Sequence, residues 1–170
     1  MEKATPDVEL RPARLRDYLA IHRVRRGAAE KLNADFGKGE WSDISWFSTL
    51  ERGLVDKTLY AIWMGQKIVG TCSLTTIPVS FYALKRFAQP NAAAFYLRSL
   101  SIHPDEQRKN IGRQAMKMAE AIATARRAAS LRLDTLVAPA GATGFYQNCG
   151  YTAVYDDAGL RFFEKNLRAA

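Results

Sequence analysis

Two short strings of this chain carry residue types able to do chemistry. The first runs Leu100-Ser101-Ile102-His103-Pro104 and, after Asp105 and Glu106, continues Gln107-Arg108-Lys109-Asn110-Ile111-Gly112-Arg113. It reads as a strand, a turn and the start of a helix. The first turn of a helix presents unpaired backbone N–H groups and the positive end of the dipole, which together make an anion site. Gly112 lets a ligand approach the backbone closely, and Arg108, Lys109 and Arg113 add positive charge. A pyrophosphate suits such a turn, provided Asp105 and Glu106 point away. A glycine and basic residues at a helix start also occur in ordinary connections. The second string is Phe145-Tyr146-Gln147-Asn148-Cys149-Gly150-Tyr151. The Tyr146 phenol is able to protonate a leaving group. It reads equally as a core tyrosine whose hydroxyl caps a buried polar group.

The other reactive side chains point less clearly to chemistry. Glu30, Asp35, Glu40 and Asp43 fall on helices and loops, where carboxylates are usually solvated. His103 ends a strand before Pro104 and reads as structural, and His22 sits among arginines on a helix and reads as exposed. Cys72 and Cys149 lie in no metal-ligand spacing and read as free thiols of a reducing cytoplasm, so no metal is expected. Nothing near Cys149 in sequence activates its thiol.

The elements that must position these strings follow from periodicity. Val8 to Pro12 reads as a first strand. A helix from Arg14 would bury Leu15, Leu19, Ile21, Val24 and Ala28, with its arginines elsewhere. Lys38 to Asp43 reads as a loop and Ile44 to Leu54 as a second helix. Thr58–Met64 and Lys67–Thr75 form a hairpin about Gly65-Gln66. The stretch from Thr76 to Asn91 is long for a hairpin loop, and a short amphipathic helix is expected within it. Ala94 to His103 reads as a strand in which Phe95 and Leu97 have one parity and Leu100 and Ile102 the other. Either a bulge near Arg98-Ser99 restores one buried face, or the strand is buried on both. Asn110 to Ala129 predicts the longest helix, with Ile111, Ala115, Met118, Ile122 and Ala125 as its apolar stripe. Leu131 to Ala138 predicts a strand, Ala140 to Asn148 a short helix stopped by Gly150, and Tyr151–Tyr155 with Leu160–Glu164 a final hairpin. The result is a mixed α/β (α+β) domain with a largely antiparallel sheet and one parallel step through the long helix.

The 170 residues suit one domain with a sizeable core. No apolar run approaches the roughly 20 residues that cross a bilayer, and the N-terminus has no signal-peptide pattern, so no membrane association is expected. The net charge of +8 favours anionic partners, coenzyme A and nucleic acid among them, or serves solubility alone. The basic residues are dispersed over helices rather than clustered with aromatics, which argues against nucleic acid.

The strand ending in Pro104, followed by Gln107-Arg108-Lys109-Asn110-Ile111-Gly112, resembles the acetyl-CoA signature of the GNAT acetyltransferase superfamily. The Tyr146 string resembles the family's second recurrent motif. Element order agrees along nearly the whole chain. The resemblance implies a single GNAT-like domain over residues 1–170. It implies a central, twisted, mostly antiparallel sheet of about seven strands, splayed between strands four and five and flanked by about four helices. It implies acetyl-CoA as cosubstrate and transfer of the acetyl group to a primary amine. Leu100 and Ile102 would pair through their backbones with the pantetheine arm. Gln107, Arg108, Lys109, Asn110, Ile111, Gly112 and Arg113 would hold the pyrophosphate, and Tyr146 would be the general acid to the departing thiolate. Asn110 replaces the first glycine of the signature, and asparagine is among the residues that best adopt a left-handed backbone. Pro139 stands where the family often has a cofactor-contacting asparagine. Many relatives dimerise, so the resemblance allows a homodimer. Two other readings keep the fold: a non-catalytic acyl-CoA-binding module, and an enzyme acting on an RNA-linked amine.

Overall fold

The computed structural model describes residues 7–42, 45–137 and 139–168. Its elements follow in the order β1 (Val8–Pro12), α1 (Tyr18–Phe36), α2 (Ser45–Val55), β2 (Leu59–Met64), β3 (Lys67–Thr75), β4 (Ala94–Ile102), α3 (Ile111–Ala125), β5 (Ser130–Leu136), α4 (Thr143–Asn148), β6 (Thr152–Asp157) and β7 (Leu160–Asn166). The strands form one sheet in the order β1-β2-β3-β4-β5-β7-β6. The mixed, mainly antiparallel sheet flanked by helices is therefore as expected. β4 and β5 are its parallel pair, with residues 94–96 in register against 130–132. Ile44 and Asp43, at the expected start of the second helix, lie outside the described residues. The chain divides into two compact units, and each is described in turn.

The first unit comprises Met1–Ser73 and Ser99–Met118. The β1–β2 and β2–β3 pairs are antiparallel, the latter closed at Gly65 as the hairpin signal requires. Val8, Ile62, Val69, Ile111 and Ala115 form one core cluster, with Leu100 and Ile102 packed against it. The helix from residue 14 is corrected at its start. Leu15–Asp17 is a 3-10 turn, and α1 begins at Tyr18. Leu15 and Leu19 are therefore 80% and 77% exposed. Leu19 lies two residues from Ile21, about 200° around a helix of 3.6 residues per turn, and faces away from the core. The buried stripe is Ile21, Val24, Arg25, Ala28 and Ala29, and Arg25 donates to Thr49 Oγ1 at 2.8 Å. An arginine thus stands on the face expected to exclude them, because its spacing of four from Ile21 places it there. Gly70 lies where the backbones come closest: a Cβ there would meet Ser101 O at 2.8 Å and Ile102 Cδ1 at 2.7 Å.

The second unit comprises Leu74–Arg98 and Ala119–Ala170. β7 pairs antiparallel with β5 along its whole length and with β6 by the last hairpin. Tyr82, Phe87, Tyr96, Tyr155 and Phe162 form an aromatic core, and they hold down the stretch from residue 76 to 91. The only regular structure described in that stretch is a 3-10 turn at Leu84–Arg86. Arg132, fully buried, ties it to the sheet. It pairs with Glu164 at 2.9 Å, donates to Gln89 O at 2.7 Å and lies over the Phe87 ring.

α3 ends earlier than periodicity suggests. Arg127 adopts a left-handed conformation (φ 61°) and the Ala128 N–H turns back to Ala123 O at 3.0 Å, a Schellman-type end made without glycine. Its most buried residues are Ile111, Ala115, Met116, Ala119 and Ala123, while Met118 and Ile122 are half-buried and Ala125 is exposed. The stripe is thus rotated from the expected one, with small alanines in its deepest positions.

Candidate functional site

The end of β4 decides which backbone groups are available to a ligand. The His103 N–H donates to Val69 O of β3 at 2.8 Å. Backbone groups alternate sides along a strand, so Leu100 and Ile102 direct theirs to the opposite edge. Ile102 O accepts from the Gln107 side chain at 3.1 Å, consistent with that direction. Ser99, just before, has φ 51° and breaks the alternation where a bulge was one of two readings. Both readings hold in part. Phe95, Tyr96 and Leu97 are all buried, and beyond Ser99 the parity changes, so Leu100 and Ile102 join the first unit's core.

After β4 the chain makes a 3-10 turn at Pro104–Glu106, runs extended through Gln107, and then places Arg108 (φ 60°) and Asn110 (φ 64°) in the left-handed region. Asn110 O accepts the Gln114 N–H at 3.2 Å, so Asn110 caps α3 and the N–H groups of Ile111, Gly112 and Arg113 lead the helix. Left-handed residues next to a helix start turn successive N–H groups into a concave anion-binding nest. The Ile111 side chain is in the core, so only its backbone can serve a ligand. Arg108, Lys109 and Arg113 are exposed.

Glu106 is turned inward, 6% exposed, with Lys67 Nζ at 2.7 Å from Oε1 and Lys109 Nζ at 2.7 Å from Oε2. The Lys109 and Lys67 ammonium groups hold its carboxyl below the usual range. Glu106 is thus directed inward and draws the Lys109 ammonium to itself. The sequence reading missed this clamp, because Lys67 comes from the far end of the β2–β3 hairpin. His103 accepts weakly from the Asp105 N–H through Nδ1, at 3.4 Å, which fits a structural role.

Tyr146 lies in the second unit, on α4, and is 7% exposed. Its N–H donates to Ala142 O, and its carbonyl accepts from the N–H groups of Cys149 and Tyr151, the chain being turned by Gly150 (φ 85°). Its ring packs near those of Phe145, Tyr151 and Phe163, with centroids 5.1, 6.2 and 5.9 Å away. Of the sequence-predicted residues, the structure brings Leu100, Ile102 and residues 107–113 together in one unit and places Tyr146 in the other. Pro139 is exposed.

A second feature of this unit gave no sequence signal. Tyr82 donates its hydroxyl to Asp134 Oδ1 at 2.5 Å. Burial and the Asp134 charge push the Tyr82 phenol well above its usual value. In the first unit, burial drives the Cys72 thiol up to about 12. Glu30 and Asp35 are ion-paired on the α1 surface with Arg26 and Lys31. Among the described residues, no three metal-ligating side chains gather, and no helix is long and apolar enough to cross a membrane.

The family model of the acetyltransferase (GNAT) family matches residues 22–151, which run from within α1 to just beyond α4 and include both candidate strings. The chain belongs to the GNAT acetyltransferase family. Solved structures agree on the fold. A GNAT-family acetyltransferase from Listeria monocytogenes superposes with TM-score 0.78 at 17% identity, covering 98% of both chains. The PaiA N-acetyltransferase of Thermoplasma acidophilum, solved in complex with coenzyme A, gives 0.73 at 18% identity, covering 94% of this chain and 99% of that one. An acetyltransferase from Thermus thermophilus gives 0.66 at 20% identity, covering 95% and 98%. No curated protein matches the chain by sequence. Membership of the GNAT family implies acyl-CoA-dependent acetyl transfer.

Proposed function

We propose that this GNAT protein is an N-acetyltransferase that moves the acetyl group of acetyl-CoA to a primary amine, with residues 1–170 acting as one cytoplasmic domain. The observation that carries the cofactor site is the pair of left-handed, non-glycine residues, Arg108 and Asn110, at the start of α3. Of the two, Arg108 carries the strain, and the buried Glu106 clamp holds the turn beside it. The N–H groups of Gln107, Arg108, Lys109, Asn110, Ile111, Gly112 and Arg113 take the pyrophosphate. Leu100 and Ile102 pair with the pantetheine arm along the edge of β4 turned away from β3. For the Ile102 carbonyl to join this pairing, the Gln107 side chain shares or yields it.

Bound acetyl-CoA supplies an activated thioester, and the protein supplies binding and orientation. A backbone N–H near Leu100 polarises the thioester carbonyl. The neutral amine nitrogen bonds to the acetyl carbon as the carbon–sulfur bond breaks, Tyr146 gives its phenolic proton to the departing sulfur, and the surplus proton on the nitrogen leaves to water, from which the phenol is restored. The rigid seat of Tyr146 on α4 supports this role, since a general acid has to be held in place.

The test is thiol release on mixing the protein with acetyl-CoA and a panel of primary amines, next to coenzyme A binding by calorimetry. Release that depends on the amine supports the enzyme. Tight coenzyme A binding with no thiol release on any amine would support a non-catalytic acyl-CoA-binding module instead.

A further inference from the structure

β1 is an edge of the sheet, and the acetyl-transfer scheme gives it no task. It pairs with β2 alone, and no strand is described on its other side. The Ala13 N–H, just past its end, donates to Leu59 O at 2.9 Å, on the β2 side. Backbone groups alternate sides along a strand, so Arg11 and Glu9 also direct theirs to β2, while Val8, Leu10 and Pro12 direct theirs outward. Pro12, which has no N–H, stands where the sheet asks for none. Side chains alternate between the two faces in the same steps. Val8 and Leu10 pack with Ile62 and Val69 on one face. Glu9 and Arg11 stand on the other, both exposed and paired at 2.7 Å, with Arg11 over the Trp63 ring.

This strand is complementary to itself. Two copies running antiparallel about Leu10 set the Leu10 backbones opposite each other, each N–H against the other's carbonyl. The Val8 N–H then meets the carbonyl of the partner's Pro12. The two-fold axis stands perpendicular to the sheet, so like faces meet. On one face Val8, Leu10 and Pro12 meet the same apolar residues in reverse order. On the other, Glu9 faces the partner's Arg11, and Arg11 faces the partner's Glu9. The pair within each strand stays, and each charge gains a second neighbour of opposite sign. Charges and a proline can also keep sheet edges apart. An edge guarded in that way sets like charge against like charge when two copies meet. Glu9 and Arg11 differ in sign and stand equally far from Leu10, so here the two copies attract.

We propose that the outer edge of β1 is the contact between two copies of this chain, which joins their sheets edge to edge in an antiparallel pair centred on Leu10. This contact involves neither Tyr146 nor the turn at residues 107–113, so it stands apart from the acetyltransferase reading. A strand of five residues makes a small interface, and a reversible dimer with a micromolar dissociation constant is expected.

Sedimentation of the full chain over a concentration series tests it. A monomer–dimer equilibrium is expected, and it should weaken at high salt because the charges are exposed. Glu9→Arg and Arg11→Glu each set like charges opposite one another, and each is expected to raise the dissociation constant about ten-fold or more. The two variants shift the net charge in opposite directions, so a general charge effect cannot weaken both. Mixed in equal amounts they are complementary again, and a mixed dimer of parental strength is expected. Hydrogen exchange on the parent gives a second reading that needs no variant to fold. The Val8 and Leu10 amides are expected to gain protection as the chain is concentrated, while those of Glu9 and Arg11, turned to β2, do not change. A monomer at every concentration overturns the contact. So does a dimer that either single variant leaves intact, a pair of folded, weakened variants that fail to recover when mixed, or protection at Val8 and Leu10 that ignores concentration.

Discussion

Lys109 Nζ lies 2.7 Å from Oε2 of the buried Glu106, so a cation that the sequence offers to a phosphate is already tethered to a carboxylate of its own turn. Lys67 holds the other oxygen. Both lysines are about half-exposed, so solvent screens the pairs and each contributes modestly. Glu106→Gln is expected to lower stability by about 1 kcal/mol and to weaken coenzyme A binding several-fold by loosening the turn. The pH dependence has a definite sign. The folded carboxyl titrates below the 4.5 of an ordinary glutamate, so its contribution is complete above that value and fades as pH falls through the lower folded one. Thermal unfolding of both proteins from pH 3 to 7 checks it. The gap between them is expected to be constant above about pH 5 and to close in acid; a gap that does not change with pH contradicts it.

Asn110 takes the left-handed backbone (φ 64°) at the point where the family signature usually has glycine. Asparagine bears this conformation at little cost, whereas a β-branched residue does not. Asn110→Val is expected to lose about 1–3 kcal/mol of stability and most of the coenzyme A affinity. Asn110→Gly is expected to change stability by less than about 1 kcal/mol and to bind coenzyme A at least as well. Calorimetric titration of the three proteins measures this directly, and weaker binding by the glycine variant would show that the asparagine side chain itself contributes.

What the sequence shows and what it hides divide along the range of the interactions. The β2–β3 hairpin is written in Gly65-Gln66 between two β-rich runs, and the turn into α3 in Pro104 and the residues up to Gly112. These are local signals. The features missed are set by partners far along the chain. Glu106 turns inward because Lys67 arrives beside it, and Tyr82 meets Asp134 across 52 residues. Arg25 is in the helix stripe but reads as solvated, since nothing in its neighbourhood announces Thr49. The left-handed Arg127 that ends α3, and Ser99 that bends β4, carry side chains that rarely take this conformation, so tertiary packing rather than propensity places them. The insertion of β7 between β5 and β6 is likewise a pairing choice that the hairpin pattern leaves open.

Gly70 on β3 lies under the residues proposed to face the pantetheine arm. A Cβ there would come within 2.8 Å of Ser101 O, a backbone atom with little freedom to retreat, and within 2.9 Å of Ile62 Cδ1. Gly70→Ala is expected to cost about 1–3 kcal/mol and to raise the dissociation constant for coenzyme A by displacing the end of β4. Chemical denaturation and calorimetry read the two effects separately, and an alanine variant as stable as the parent would show that the two strands separate freely at this point.

Cys72 is fully buried and its thiol is pushed up to about 12, so at neutral pH it is almost entirely protonated and unreactive. The number of thiols that react with a disulfide reagent in the native protein is expected to be the same in the parent and in Cys72→Ala. In denaturant the parent should show one more. A native-state loss of one reactive thiol on removing Cys72 contradicts the burial argument.

Tyr146 tests the chemistry most directly, because its two readings predict different losses. As a core aromatic it is worth its ring, which packs near Phe145, Tyr151 and Phe163 and which phenylalanine keeps. As general acid it is worth its hydroxyl, which phenylalanine lacks. Tyr146→Phe is therefore expected to leave coenzyme A affinity close to the parent's and to lower kcat by about 10²-fold or more. The loss should shrink with an acetyl thioester whose thiol is more acidic, because such a leaving group needs less protonation. A purely structural role would move stability instead and would leave the leaving-group dependence unchanged. If turnover is unaffected, the proton reaches the sulfur from another donor and Tyr146 reverts to a packing residue.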